Sequence, residues 1–268
     1  MRKTLITSIV LLGFGAGQLL APVAYAQETN TNAAKTQNPE TAAPPKLSTV
    51  KTEKDWFDIL NMRIDLAQAR VAVMRAKVAL EIEKSNDRAK QALDDAEAGY
   101  MRAKDAAKSK ASKEFGKLVD NIIPAKNAIT KAPEEAKKKI DKLLEQTEDS
   151  LQGYGQVALD TDEAKLLKKR YAQLEAEAAL LKAKIAEKVD NTGKQANSYL
   201  DEAKNWYAKA KSNSTKKWHK ELEELSRDID NTKKVIAKKR NQAADAITNL
   251  ADRAANLVRA AKSEKPIK

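Results

Sequence analysis

The chain has 268 residues, 0 cysteines, 1 histidine and a formal net charge of +12. Charged residues make up 33% and aromatics only 4%, which excludes a disulfide framework, a His/Cys zinc site and a thick aromatic core. Ala, Lys, Glu and Leu abound while Gly and Pro are scarce, the composition of long helices.

The first stretch reads as a secretory leader. Arg2 and Lys3 form a basic start, an apolar run extends to about Leu20, Pro22 breaks it, and Ala24-Tyr25-Ala26 offers small residues at the positions a signal peptidase reads. Cleavage is expected after Ala26, so 1–26 is a signal peptide and the net charge falls to +10 with Arg2 and Lys3 removed. Export places the protein in the periplasm or outside the cell. No later run reaches about 20 apolar residues, so no transmembrane segment is expected after cleavage. Residues 27–52 are polar and proline-bearing with no apolar period, which predicts a flexible linker in which Ser48 or Thr52 caps the first helix.

From Glu53 the apolar residues take helical spacing. Trp56, Leu60, Ile64, Val71 and Met74 share one face, and Ile59, Leu66, Val73 and Leu80 form a second row. Between them runs a basic row, Arg63, Arg70, Lys77 and Lys84. The spacing predicts a helix wedged between two neighbours, its basic stems covering apolar surface. The alternative is a membrane-surface helix whose cations meet anionic lipid or an envelope polymer. The seam turns alanine-rich after Ser85, through Ala89, Ala92, Ala96, Tyr100 and Ala103. Pro124 and Pro133 are expected to bracket a turn, with a short amphipathic helix from Pro133 to about Ser150. Region 53–152 is thus predicted as a long helix plus a short one.

Asp160 or Thr161 is expected to cap the next segment. Its seam includes Leu167, Leu174, Leu181, Ile185 and Trp206; a second seam holds Trp218, Leu222, Leu225, Ile229, Ile236 and Leu250. The two share one order of steps at a displacement of 51 residues (Leu167 to Trp218), which fits either a faded internal repeat or the chance matches that low-complexity helical sequence produces. Ser212-Asn213-Ser214-Thr215 is a capping run, which predicts a tight connection between two long helices over 160–262, with a tail at 263–268. The mean step of about 3.6 suits straight helices in a bundle. The fold expected is all-α: an elongated helical bundle or an antiparallel coiled-coil hairpin of long amphipathic helices.

His219, between Trp206 and Trp218, is the one residue resembling a chemical site. It has no second histidine or cysteine to share a metal and sits one step off the seam, near solvent and four residues from Glu223. The glycines after residue 26 form no phosphate-cradling motif. No catalytic residue, cofactor or metal is expected. The sequence points to an exported, basic, non-enzymatic protein of the cell envelope, acting as a structural spacer or by protein–protein interaction with itself or another envelope protein. A holdase-like periplasmic chaperone and a binder of anionic lipid or polymer are the alternatives, and nucleic acid is disfavoured.

Overall fold

Thr52 starts the first helix. Its hydroxyl accepts the Asp55 amide at 3.2 Å, and the Asp55 carboxylate accepts the Thr52 amide at 3.2 Å, a reciprocal cap. The structure, a computed structural model, describes residues 52–107, 110–153 and 159–262. The expected leader, nearly all of the linker and the tail lie outside the described residues. Among those described are eight helices and no strand: α1 (Glu53–Glu81), α2 (Asn86–Ala106), α3 (Lys110–Lys131), α4 (Pro133–Gln152), α5 (Asp162–Lys188), α6 (Gly193–Ser212), α7 (Lys216–Lys238) and α8 (Arg240–Lys262). The fold is an all-α helical bundle.

The long helices expected from the seams are cut in two. Ser85 ends the first region's continuity: Lys84 takes a left-handed φ of 54°, and Ser85 caps α2 by accepting the Arg88 amide at 3.4 Å. Asn191, at φ 53°, likewise separates α5 from α6, and Lys239 separates α7 from α8. Region 160–262 is therefore four helices, not a two-helix hairpin. Each break preserves the phase of the apolar pattern, so the seams read straight through them. The turn expected at Pro124 is absent; Pro124 lies inside α3. Burial of Phe115, Leu118, Ile122, Ala125 and Ile129 along one face of that helix outweighs the one backbone bond that a proline forfeits. Pro133 does open α4, at its first turn. Thr161, rather than Asp160, caps α5.

The helices close into two rings. In the first, α1 packs on α2, α2 on α3, α3 on α4 and α4 back on α1; in the second, α5, α6, α7 and α8 repeat that order. The principal contact between the rings is α1 against α5. Side chains pair across that wall in rising order, Arg63 with Tyr171, Arg70 with Glu175, Arg75 with Glu177 and Glu83 with Lys184, so α1 and α5 run parallel.

The rings are copies of one pattern, displaced by 107 residues (Tyr100 to Tyr207). Buried Ala89, Leu93, Ala96, Tyr100 and Ala103 of α2 recur as Ala196, Leu200, Ala203, Tyr207 and Ala210 of α6. Phe115, Leu118, Ile122 and Ile129 recur as Leu222, Leu225, Ile229 and Ile236, and Ala136, Ile140 and Leu143 as Ala243, Ile247 and Leu250. The turns match as well: Ser85 donates to the Ala79 carbonyl at 2.9 Å and Thr192 to the Ala186 carbonyl at 2.9 Å. Even a surface ion pair recurs, Lys126 with Asp94 and Lys233 with Asp201. The 51-residue echo lays α5–α6 on α7–α8 but sets the break at Asn191 three residues beyond that at Lys239 (191 onto 242). The displacement of 107 carries no such slip.

Candidate functional site

Two cores lie on either side of α1. Met62, Leu66, Ala69, Val73, Ala76 and Leu80 face α2–α4, whereas Leu60, Ile64, Ala67, Val71, Met74 and Val78 join the core of the second ring. Of the seam residues read from sequence, Leu60, Ile64, Val71, Met74, Leu174, Leu181, Trp218, Leu222, Leu225, Ile229, Ile236 and Leu250 are buried in that second core and Trp56, Ile185 and Trp206 partly so, whereas the alanine-rich continuation through Ala89, Ala96, Tyr100 and Ala103 belongs to the first. Trp206 stands edge-on to Tyr171, ring centroids 5.9 Å apart, under the Lys209 ammonium at 3.9 Å.

The basic row of α1 does not form an exposed anion-binding face. Arg70 is buried, with Nη2 donating to Glu175 Oε2 at 2.5 Å and Nη1 3.8 Å from Glu148. Burial alone would lower its guanidinium's pKa, but the charge and hydrogen bond of Glu175 prevail and raise it. Arg63 lies over the Tyr171 ring at 4.4 Å, and Lys77 meets Asp141 at 2.7 Å. Lys84 alone of the four is exposed, at the turn. The apolar rows beside these cations are covered by neighbouring helices in this fold.

The unanticipated feature is the polarity of α5. Lys169, Gln173, Glu175, Glu177, Lys184 and Glu187 are all buried on that one helix. Glu177 Oε1 accepts from Arg75 Nε at 3.0 Å and Nη2 at 2.5 Å. Glu83 accepts from Lys184 at 3.5 Å and from Arg88 at 3.2 Å, and Glu148 accepts from Lys182 at 3.0 Å. Lys169 lies 4.6 Å from the Trp218 ring centroid. Such pairs tie α1, the α1–α2 turn and α4 to α5. Removing one partner of a buried pair costs about 3–5 kcal/mol, because the other charge is stranded. A cleft of about 250 Å³ opens beside them, floored by Val78, Ala79 and Leu181 and edged by Arg75, Arg88 and Asp252. The sequence carries a signal of it: Glu175 and Glu177 interrupt the apolar run Leu174–Leu181, which leaves α5 with no polar face to turn outward.

His219 lies in the first turn of α7, half-buried, its ring Nε2 3.3 Å from the Ser214 carbonyl oxygen. Glu223, four residues on, is held by Lys211, which with His219 lowers the carboxyl's pKa. The connection between α6 and α7 falls at Asn213–Thr215, within the expected capping run. Among the described residues no three His, Cys, Asp or Glu side chains cluster as metal ligands. No protein-family model matches the chain, and neither a curated protein nor a solved structure does.

Proposed function

We propose that this is an exported, non-enzymatic scaffold protein of the cell envelope, which presents two rigidly joined four-helix bundles to protein partners. The observation that carries this reading is where the buried charge of α5 goes. Arg70, Arg75, Lys184, Glu83, Glu175 and Glu177 are engaged in holding one bundle to the other, an arrangement that fixes relative orientation rather than polarising a substrate. The leader-like Met1–Ala26 supports export. No described helix is long and apolar enough to cross a membrane.

Fractionation of the source cell, with N-terminal sequencing of the recovered protein, tests the reading. Recovery outside the inner membrane with Gln27 as the first residue is expected. An intact Met1 terminus in the cytoplasmic fraction would sink export. For the scaffold reading, in-cell crosslinking of the tagged protein should yield a recurrent stoichiometric partner that is lost when Arg70→Ala and Arg75→Ala loosen the wall. A partner pattern unmoved by that loosening would remove the role given to the joined bundles.

A further inference from the structure

The two bundles differ in charge at equivalent ends, although exposed Asp190 stands among the second bundle's lysines where the first has Glu83. At the first bundle's end, made by the α1–α2 and α3–α4 turns, stand Glu81, Asp87, Asn127 and Ala132; 107 residues on stand Lys188, Lys194, Lys234 and Lys239. Lys131 is retained as Lys238. The α5–α6 and α7–α8 turns are neighbours, since a Cβ on Gly193 would lie 3.2 Å from the Ile236 methyl. Lys188, Lys194, Lys234, Lys238 and Lys239 are all exposed, and none forms an ion pair among the described residues. At the first bundle's end, Glu83 is held by Arg88, Glu134 by Lys137 and Glu135 by Lys139. Val189, 46% exposed, stands among the lysines.

Helix dipoles explain part of this. Lys188 and Lys238 lie in the last turns of α5 and α7, where cations are favoured. They do not explain Lys194, in the first turn of α6, where a cation opposes the dipole and the first bundle places Asp87. A charge kept against local stability calls for a use outside the fold.

We propose that this end of the second bundle docks on an anionic lipid headgroup layer. A bilayer surface offers a plane of phosphate charge to lysines grouped at one end, and the exposed Val189 side chain can enter the interfacial region between them. A nucleic acid is served less well, because no aromatic side chain in the turns accompanies these lysines for a base to stack on. The proposal goes beyond the scaffold reading and does not depend on it, since it requires only that the chain meet a bilayer.

The test is co-sedimentation of the protein lacking residues 1–26 with vesicles of phosphatidylcholine containing about a third phosphatidylglycerol, where each cation at the surface is worth about five-fold in affinity. The first variant grafts the first bundle's own residues: Lys188→Glu, Lys194→Asp, Lys234→Asn and Lys239→Ala. A control makes the same change in net charge at the opposite end, with Lys113→Glu, Lys117→Glu and Lys220→Glu. The graft should lose at least about a hundred-fold in binding and the control far less. Lys194→Asp alone should melt higher, its dipole clash relieved, yet bind vesicles more weakly. A loss of purely structural origin cannot produce that pairing of signs. Equal losses in graft and control, equal binding to vesicles of phosphatidylcholine alone, no binding by the parent, Lys194→Asp that binds as the parent does, or tighter binding to a single-stranded oligonucleotide at the same salt would each overturn the proposal.

Discussion

The two bundles share a backbone plan and differ in what fills it. On the inner face of α1, Met62, Leu66 and Leu80 close an apolar core; the equivalent positions on α5 are Lys169, Gln173 and Glu187, all buried. In the first bundle the Tyr100 hydroxyl is hydrogen-bonded to Thr147, whose own hydroxyl donates to the Leu143 carbonyl at 2.6 Å. In the second, Ala254 stands where Thr147 would be, and the Tyr207 hydroxyl, fully buried, has no hydrogen-bond partner. Gly99 lets α2 approach α1 so closely that a Cβ there would lie 2.9 Å from that of Ala69, whereas its equivalent in α6 is Trp206. Once a pattern of burial has fixed the ring, its interior can drift from apolar to polar without loss of the plan. The drift lowers the stability of the bundle that carries it.

The largest expected effect concerns dependence rather than composition. The second core includes the α1 residues Leu60 to Val78, while the buried core of the first ring draws only on α1–α4. Leu118→Asp and Leu225→Asp strike equivalent buried positions, and each should cost on the order of several kcal/mol, the penalty of an unpaired buried charge. Leu225→Asp should leave the amides of α2–α4 protected from hydrogen exchange. Leu118→Asp should loosen α1 and so deprotect both bundles. Symmetric deprotection by the two variants would mean that the rings do not differ in this way.

A smaller effect is expected at Gln173. Both polar atoms of its amide are buried without a hydrogen-bond partner, and the first bundle holds Leu66 at that place. An unsatisfied buried group costs about 1–3 kcal/mol. Gln173→Leu should therefore raise stability by an amount of that order in a denaturant melt, with the gain confined to the second bundle. A destabilised Gln173→Leu would show that the amide is satisfied in solution.

How much of this is legible in the sequence turns on periodicity. The steps of three and four residues disclose helices and their buried faces, because one-sided burial leaves a direct trace in sequence, and Thr52 is one of the two caps expected there, the other being Ser48. They conceal the breaks at Ser85, Thr192 and Lys239: each turn keeps the apolar phase, and of the two residues that take a positive φ only Asn191 is of a type that favours it, whereas Lys84 carries no such signal. The displacement of 107 is hidden for a related reason. An alanine-rich seam matches itself at many shifts, and only burial and turn geometry distinguish the one that matters. The buried charges of α5 escape because the residue type alone assigns Glu175 and Glu177 to solvent, and it takes Arg70 and Arg75 from another helix to hold them inside. His219, expected near solvent one step off the seam, is half-buried in the first turn of α7 with its Nε2 3.3 Å from the Ser214 carbonyl oxygen.

The tyrosine pair sharpens the comparison through opposite signs. Tyr100→Phe removes a buried hydrogen bond and should cost about 1 kcal/mol. Tyr207→Phe removes a hydroxyl that has no partner and should be neutral or stabilising, and Ala254→Thr should supply the missing partner and stabilise by about 1 kcal/mol. Burial pushes the pKa of both phenols up, with the Thr147 hydrogen bond opposing at Tyr100 and the Glu177 charge adding at Tyr207. An unfolded tyrosine ionises near about pH 10. The preference of the folded state for the neutral phenol is thus without effect below that pH and subtracts from stability above it. Melts taken from neutral to alkaline pH should fall beyond that point, and less steeply in Tyr207→Phe. An equal effect of the two phenylalanine substitutions at neutral pH would remove the distinction between the bundles.

The smallest expected effect lies in the turns that open α2 and α6. Lys84 and Asn191 occupy the same left-handed position, at φ 54° and 53°. Asparagine tolerates that region through its short polar side chain, whereas lysine has no such compensation and glycine has no Cβ to clash. Lys84→Gly should therefore stabilise by up to about 1 kcal/mol, and Asn191→Gly by less. Both changes are at exposed sites, so packing does not confuse the comparison. Lys84 makes no ion pair among the described residues, and its loss strands no partner. Paired thermal melts at high salt, where surface charge is screened, isolate the backbone contribution. A larger gain at Asn191 than at Lys84 would show that the two turns, though superimposable in their hydrogen bonds, are strained differently.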